Sequence, residues 1–226
     1  MKRNPIITID GPAGSGKSST AKLLASKFGF TYLDTGAMYR CVALAAIRAG
    51  IDLDNQVEIG RIADKISIDF DADVENIKVL LNGEDVSLAI REPRIDSGSS
   101  LVSSYKIVRE KMVEIQRKFG ARGRIVAEGR DMGTVVFPNA DLKIFLVADL
   151  NTRARRRCLQ LKNAGIESSV DEQVSSLSSR DMFDSSREHS PLEKAPDAIE
   201  IDTSNMSLNE QTQKIYDIAF ERLFPK

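Results

Sequence analysis

Cysteine, histidine and tryptophan are scarce in this sequence, and each scarcity narrows what the protein can be. The chain has 226 residues with two cysteines, one histidine and no tryptophan. Cys41 and Cys158 belong to no C-x-x-C pair, which fits a reducing compartment. The single histidine, His189, leaves little material for a histidine-based metal site or a Ser-His triad. A chain of this length buries enough surface to fold without disulfide or metal crosslinks.

Long apolar runs and an excess of charge of one sign are also missing. No segment approaches the roughly 20 apolar residues that span a bilayer, and the basic start lacks the apolar stretch of a signal peptide. The 32 lysines and arginines nearly balance the 33 aspartates and glutamates, for a net charge of −1. That balance argues against a protein built mainly to bind nucleic acid or an anionic membrane. We expect a soluble cytoplasmic protein that binds neither nucleic acid nor a membrane.

Hydrophobic patterning predicts strands that alternate with helices. Short, β-branched apolar segments predict buried strands, at residues 5–10, 124–128, 142–147 and 198–202. Apolar residues at helical spacing predict helices, at residues 17–28, 38–49, 107–119, 151–162 and 208–223. This order implies an α/β fold, in which a parallel sheet is covered by helices on both faces.

Residues 64–100 have a different pattern. Apolar and polar residues alternate on both sides of a turn signal at Asn82 and Gly83, with the apolar ones at Ile66, Ile68, Phe70, Ile77, Val79 and Leu81. Such alternation predicts short antiparallel strands with one exposed face. We interpret residues 64–100 as a small domain inserted into a core of residues 1–63 and 101–226, closed by a flexible return at 97–100. The serine-rich residues 168–187 predict a mobile cover.

A glycine-rich loop between the first strand and the first helix predicts a nucleotide site. It satisfies G-x-x-x-x-G-K-[ST] with Gly11, Pro12, Ala13, Gly14, Ser15, Gly16, Lys17 and Ser18. Glycines let backbone N–H groups converge on phosphate oxygens, and the helix N-terminus adds partial positive charge. In such a loop Lys17 reaches the β- and γ-phosphates and the Ser18 hydroxyl ligates Mg²⁺. The sequence therefore predicts binding of a nucleoside triphosphate.

Two classes of protein use such a loop, a nucleotide-dependent switch and a phosphotransferase. The sequence has no Asn-Lys pair for the guanine-reading N-K-x-D segment of a GTPase switch, and no D-x-x-G segment. A phosphotransferase with a phosphate-bearing acceptor needs arginines to offset the crowding of anions. Arginines cluster at Arg153, Arg155, Arg156 and Arg157, and again at Arg180 and Arg187. A solvated basic helix face gives the same pattern, so that alternative stays open.

Several segments together resemble the bacterial cytidylate (CMP/dCMP) kinases, nearly from end to end. They are ITIDGP at 7–12, DTGAMYR at 34–40, the segment 82–91 that begins with NGEDVS and ends with Ile90 and Arg91, and GRDMGTVVFP at 129–138. A further segment, at 180–187, contains Arg180, Asp181, Asp184 and Arg187. The resemblance implies a P-loop kinase core with an inserted monophosphate-binding domain at 64–100 and a helical lid at about 151–187. It implies transfer of the ATP γ-phosphoryl group to CMP or dCMP by a monomeric enzyme. A regulatory P-loop NTPase, or a kinase for another small acceptor, is the alternative.

The resemblance also implies a role for individual residues. ATP would be bound by the phosphate loop together with Ser19 and Arg156, with Mg²⁺ on Ser18. Catalysis would depend on Lys17, Arg130, Arg153 and Arg187. CMP would be bound by Ser15, Thr35, Arg40, Ser100, Arg109, Arg130, Asp131, Arg180, Asp184 and Arg187. Of these, Ser100, Arg109 and Asp131 would read the cytosine, although Arg109 and Asp131 could instead form a structural ion pair. Glu128 stands where many members have aspartate, and we assign it no metal contact.

Overall fold

The protein is described by a computed structural model that covers residues 4–71 and 78–224. The strands within these ranges are β1 (Ile6–Asp10), β2 (Thr31–Asp34), β3 (Ile68–Asp71), β4 (Lys78–Leu81), β5 (Glu84–Asp85), β6 (Ile125–Gly129), β7 (Leu142–Val147) and β8 (Ile199–Asp202). The helices are α1 (Lys17–Phe28), α2 (Thr35–Arg48), α3 (Gln56–Lys65), α4 (Pro93–Val102), α5 (Lys106–Gly120), α6 (Leu150–Asn163), α7 (Val170–Ser185) and α8 (Leu208–Leu223). The chain forms two compact units, Met1–Tyr32 with Gly123–Lys226, and Leu33–Arg122.

The first unit is built on a parallel sheet, as the sequence predicts. Its five strands have the order β2-β6-β1-β7-β8, and β1 pairs in parallel with both β6 and β7. β2 begins in this unit and runs past its boundary. Because β1 is central, its side chains are buried on both faces, which explains the apolar run at Ile6–Asp10. The carboxyl end of β1 therefore opens directly into the phosphate loop.

Helices α1 and α8 pack together beside this sheet. Leu24 of α1, Ile215 of α8 and Ile144 of β7 belong to one buried apolar cluster. Phe28 at the end of α1 stacks on Tyr216 of α8, with ring centroids 4.6 Å apart. α1 ends at Phe28, and the next residue, Gly29, has a left-handed backbone and donates its N–H to carbonyls of the last helical turn. This packing fixes the helix that carries Lys17.

In the described part of the second unit, the four α-helices α2 to α5 and a short 3-10 helix at Ala89–Arg91 accompany a small antiparallel sheet. Strands β3, β4 and β5 are antiparallel neighbours, and Asn82 and Gly83 form the turn before β5 with positive φ angles of 52° and 84°. The predicted strands and turn are confirmed here for Ile68, Phe70, Val79 and Leu81. Ile66 instead lies just after α3 and before β3, and Ile77 lies outside the described residues. The compact unit spans 33–122 and is wider than the predicted insertion at 64–100, whose role as a separate domain stays a prediction.

The expected flexible return at residues 97–100 is wrong, because these residues lie within α4. Ile95 and Val102 are fully buried on either side of them. A Cβ at Gly98 would come within 2.6 Å of Leu53 Cδ1, so this glycine permits close packing. Tertiary burial thus overrides the weak helix propensity of serine and glycine.

The serine-rich stretch at 168–187 is mostly helical. α7 begins with a capping box in which Ser169 and Glu172 exchange side-chain and backbone hydrogen bonds. α7 packs on α6, and Leu177 and Ala154 share a small buried cluster. The predicted helix at 151–162 is confirmed by α6, while the lid motion of the pair stays a prediction. Among the described residues no helix is both long and apolar enough to cross a membrane.

Candidate active site

The phosphate loop has the backbone that its glycines predict. A Cβ at Gly11 would lie 2.1 Å from the Leu146 carbonyl oxygen, so only glycine lets the chain leave β1 at this point. Gly16 precedes α1 with φ 94°, in the left-handed region. Ser15 is completely buried, and its hydroxyl has no hydrogen-bond partner among residues 4–71 and 78–224. A buried hydroxyl of this kind is suited to an oxygen-rich ligand.

Lys17 lies at the first position of α1 and is 5% exposed. Its Nζ donates to the Pro12 carbonyl at 2.7 Å. Burial, reinforced by the positive charge of Arg130, lowers the pKa of Lys17 to about 7, against the opposing charges of Glu128 and Asp10. An anion beside the ammonium group would reverse this shift, because opposite charge favours the protonated form. The loop therefore provides a site whose lysine gains a charge partner when phosphate binds.

The Ser18 hydroxyl contacts a buried carboxylate. It donates to Glu128 Oε1 at 2.6 Å, and the Tyr32 hydroxyl donates to the same oxygen at 3.2 Å. No group of three or more His, Cys, Asp or Glu residues within the described ranges is arranged to hold a metal ion. A hydroxyl with one nearby carboxylate nevertheless fits Mg²⁺, which takes few protein ligands and completes its shell with phosphate oxygens and water.

Four of the predicted acceptor residues in the first unit form an arginine–aspartate cluster. Arg130 Nε donates to Asp184 Oδ2 at 2.8 Å, and Arg187 donates to the other Asp184 oxygen. Burial alone would raise the pKa of Asp184, but the charges of Arg130 and Arg187 outweigh it and hold that pKa below its usual value. Arg180 contributes to the same electrostatic field. The structure thus brings Arg130 to the 180–187 segment, whose Asp184 lies 54 residues further along the sequence.

Arg153 and Arg156 contact the protein backbone rather than open space. Arg153 donates to the carbonyls of Ala148 and Ala13 at 3.0 and 3.1 Å, and it pairs with Asp181 at 2.6 Å. Arg156 donates to the Thr203 carbonyl at 2.6 Å and to the Thr203 hydroxyl at 3.1 Å. The alternative interpretation, that the arginines form a basic helix face exposed to water, is therefore wrong for Arg153 and Arg156.

Thr203 is a site residue that the sequence analysis missed. It is fully buried at the end of β8, and its Oγ1 lies 3.1 Å from the carbonyl oxygens of both Ser15 and Val147. One side chain therefore connects the phosphate loop, β7 and Arg156. The available signal was its position just after the last strand, since the carboxyl ends of parallel strands line such sites.

A separate cluster in the second unit surrounds Asp34, the N-cap of α2. The carboxylate accepts from Arg40 at 3.1 Å, from Arg91 at 2.9 Å and from the Ala37 N–H at 2.8 Å. Burial would raise the pKa of Asp34, but the charges of Arg40 and Arg91 hold it below its usual value. Arg40 Nε is buried without a hydrogen-bond partner in the described part of the chain. The family resemblance at 82–91 includes Arg91 but implies no role for it.

The other residues predicted to bind CMP are buried or half-buried, and each lies in or next to one of the helices and strands described above. Arg109 of α5 is 4% exposed, donates to the Ser103 carbonyl at 3.1 Å and lies over the Tyr39 ring at 5.4 Å. Thr35 is buried at the start of α2, and Ser100 is half-buried in α4. Asp131 is buried directly after β6, in the first unit.

A phosphate loop, a buried lysine and a converging set of arginines on a parallel α/β sheet define a P-loop phosphotransferase. Comparison with known sequences gives the particular family. The family model described as cytidylate kinase matches residues 7–221. The cytidylate kinase of Geobacter sulfurreducens is 45% identical over 221 residues, covering 98% of this chain and 95% of the relative. That of Fusobacterium nucleatum is 49% identical over 207 residues, covering 92% and 93%. The chain belongs to the cytidylate kinase family.

Solved structures with the same fold are much more distant in sequence. An uncharacterized protein from Eubacterium ventriosum has a TM-score of 0.52 at 14% identity, with 96% of this chain and 99% of that chain covered. TT1252 from Thermus thermophilus has a TM-score of 0.50 at 16% identity, with 98% and 99% covered. These similarities confirm the predicted fold class. Family membership decides between the two classes left open by the sequence, in favour of the phosphotransferase.

Proposed function

We propose that this protein transfers the γ-phosphoryl group of ATP to CMP or dCMP, giving ADP and CDP or dCDP. The observation that carries the proposal is the parallel pairing of β1 with β6, in which Asp10 lies opposite Gly129, so that the phosphate loop and Arg130 follow neighbouring strands at the same edge of the sheet. Lys17 belongs to the triphosphate loop and Arg130 to the segment expected to hold the acceptor phosphate. Two cations from these two segments suit a reaction in which two phosphate groups meet.

The donor phosphates are proposed to bind in the loop from Gly11 to Ser18, with Ser19 following. Lys17 would leave its contact with the Pro12 carbonyl for the β- and γ-phosphate oxygens. Ser18 would hold Mg²⁺, with Glu128 orienting the hydroxyl through their 2.6 Å hydrogen bond. The bound ion neutralises charge on the phosphates. Arg153 and Arg156 would act mainly by fixing the loop and the turn after β8, through the carbonyls they already contact.

The acceptor phosphate is proposed to be held by Arg40, Arg130 and Ser15, with Arg187 stabilising the charge on the transferring group. Thr35, Arg180 and Asp184 would contact the sugar. The oxyanion of CMP attacks the γ-phosphorus in line, and it needs no general base because it is already ionised near neutral pH. Catalysis then consists of positioning and charge stabilisation.

Cytosine recognition is proposed to depend on Ser100, Arg109 and Asp131. Asp131 would accept from the exocyclic amine, and Arg109 would donate to the N3 and O2 acceptors. Uracil carries N3–H and O4, so the same pair would face mismatched donors and acceptors. Buried polar groups left unpaired in this way are disfavoured by about 1–3 kcal/mol each.

The reaction is proposed to take place in the cytoplasm as a step of pyrimidine nucleotide metabolism, with the chain acting as a monomer. Light scattering coupled to gel filtration would detect a single mass near that of one 24.9 kDa chain. A stable dimer under assay conditions would contradict the monomer proposal without affecting the reaction.

The proposed function is tested by measuring ADP release with a panel of acceptors. CMP, dCMP, UMP, AMP, GMP and shikimate would each be added to the protein with ATP and Mg²⁺. We expect strong stimulation by CMP and dCMP, and little by the purine nucleotides or shikimate. Slow ATP hydrolysis that no acceptor stimulates would instead support a regulatory NTPase. Stimulation by shikimate alone would support a kinase for another small acceptor.

A further inference from the structure

Asp10 makes two hydrogen bonds that join the end of β1 to a distant helical turn at Met132–Val136. It is the last residue of β1 and directly precedes Gly11 of the phosphate loop. Its Oδ1 accepts the Met132 N–H at 2.9 Å, and its Oδ2 accepts the Gly133 N–H at 2.8 Å. The carboxylate is 5% exposed. Each carboxylate oxygen therefore accepts one backbone N–H, and the two donors lie 122 and 123 residues further along the sequence.

The turn held by Asp10 follows two residues with proposed roles in acceptor binding. Arg130 and Asp131 immediately precede Met132. The turn lies tightly against the sheet, since a Cβ at Gly133 would come within 3.2 Å of Thr8 Oγ1 and 3.1 Å of Lys143 Cδ. Glycine at this position allows the backbone to approach the carboxylate. All these residues belong to the first unit.

The strength of the two hydrogen bonds that Asp10 accepts depends on whether its carboxyl group is ionised. Burial raises the pKa of Asp10 to about 7, and the two backbone hydrogen bonds oppose the shift. The charged groups that act on it are Asp131, which raises the pKa, and Lys17, which lowers it. Only the ionised carboxylate offers both oxygens as acceptors without a competing proton.

We propose that Asp10 is a positioning residue whose carboxylate fixes the turn after Asp131 against the start of the phosphate loop. Recognition of cytosine by Asp131, and of the acceptor phosphate by Arg130, then depends on a side chain that touches neither group of the substrate. This inference deepens the proposed function and rests on it.

The test is the variant Asp10→Asn, in which one oxygen becomes an amide donor that faces a backbone donor. We expect the KM for CMP to rise about tenfold or more, because a buried N–H loses its acceptor. The CMP-to-UMP ratio of kcat/KM is expected to fall, and the KM for ATP to change less than about twofold. The matched control is Asp141→Asn, since Asp141 also accepts a β1 backbone N–H, that of Ile6 at 2.9 Å, at the other end of the strand.

The outcomes separate the inference from the proposed function. A wild-type protein that does not phosphorylate CMP refutes the function. An active wild type, with Asp10→Asn unchanged in both CMP KM and base selectivity, refutes only the inference, and so does a control variant that shows the same losses as Asp10→Asn.

A second measurement applies even if Asp10→Asn does not fold. The CMP-to-UMP ratio of the wild type should fall as the pH decreases through about 7, because protonation weakens the hold on the turn. Ionisation of the substrate phosphate affects both nucleotides alike and cancels in this ratio. A ratio that stays constant from pH 8 to pH 6 would overturn the inference.

Discussion

Replacing Asp34 with asparagine removes one negative charge from the arginine cluster of the second unit and leaves the helix cap in place. Asparagine caps a helix about as well as aspartate. Hydrogen bonds to charged partners contribute about 1.5–3 kcal/mol and neutral ones about 0.5–1.5. The contact with the largely buried Arg40 should therefore lose about 1–1.5 kcal/mol. The hydrogen bond from Arg91 is lost, because the amide NH2 takes the place of Oδ2 while the remaining oxygen caps the helix. The Arg91 side chain is 51% exposed, so water replaces this partner and the loss should be only about 0.5 kcal/mol.

The expected loss in the free energy of unfolding is thus about 2 kcal/mol, or roughly 4–8 °C in Tm for a chain of this size. Urea and thermal unfolding would measure it, with Asp149→Asn as the control. Asp149 also caps a helix, α6, by accepting the Thr152 N–H at 2.8 Å, and it is exposed to water. We expect a much smaller loss there, because asparagine caps a helix about as well as aspartate and no buried charge is left without its partner.

The pH dependence of this difference follows from the lowered pKa of Asp34. A carboxyl group with a lowered pKa in the folded state stabilises the protein above its ordinary value of 3.8, and the contribution disappears as the pH falls through the folded-state pKa. The difference between wild type and Asp34→Asn should therefore be full at pH 7 and shrink in acid below pH 3.8. Equal losses for Asp34→Asn and Asp149→Asn at pH 7 would refute the reasoning.

Three further substitutions test the proposed active site. Lys17→Met should abolish most turnover while CMP binding, measured by calorimetry, is largely kept; near-normal turnover would contradict the role of the loop. Arg109→Met should reduce the CMP-to-UMP ratio of kcat/KM more than it weakens ATP binding, and an unchanged ratio would remove the base-reading role. Thr203→Val should raise the KM for ATP about fivefold or more, since the Ser15 carbonyl and Arg156 lose a buried partner. Thr203→Ser keeps the hydroxyl and should stay near wild type, so equal effects of the two substitutions would argue against the hydrogen bonds.

The parts of the fold that the sequence predicts are those governed by local chemistry. The apolar run at Ile6–Asp10, the glycines after it and the apolar spacing of α1 each determine structure over a few residues, and all three were predicted correctly. Helix α4 was not predicted, because Ser97, Gly98 and Ser99 are helical only through packing that distant residues provide.

The same distinction holds for the candidate site. Lys17 and the loop around it were predicted because one short motif contains the whole phosphate cradle. The cluster of Arg130, Asp184 and Arg187 was expected only through the family resemblance, and its contacts required the folded chain. The hydrogen bonds from the Met132 N–H to Asp10 and from Thr203 to the Ser15 carbonyl join positions more than 100 residues apart, so no local pattern could indicate these contacts.

The division of the chain into two compact units has a practical consequence for spectroscopy. The protein has no tryptophan and four tyrosines, of which Tyr32 and Tyr216 lie in the first unit and Tyr39 and Tyr105 in the second. A single tryptophan introduced at Phe220 would report on the first unit, and one at Phe119 on the second. No native tryptophan would contribute to the fluorescence signal. Thermal unfolding followed by tryptophan fluorescence would then show which unit unfolds first, and whether added nucleotides change that order.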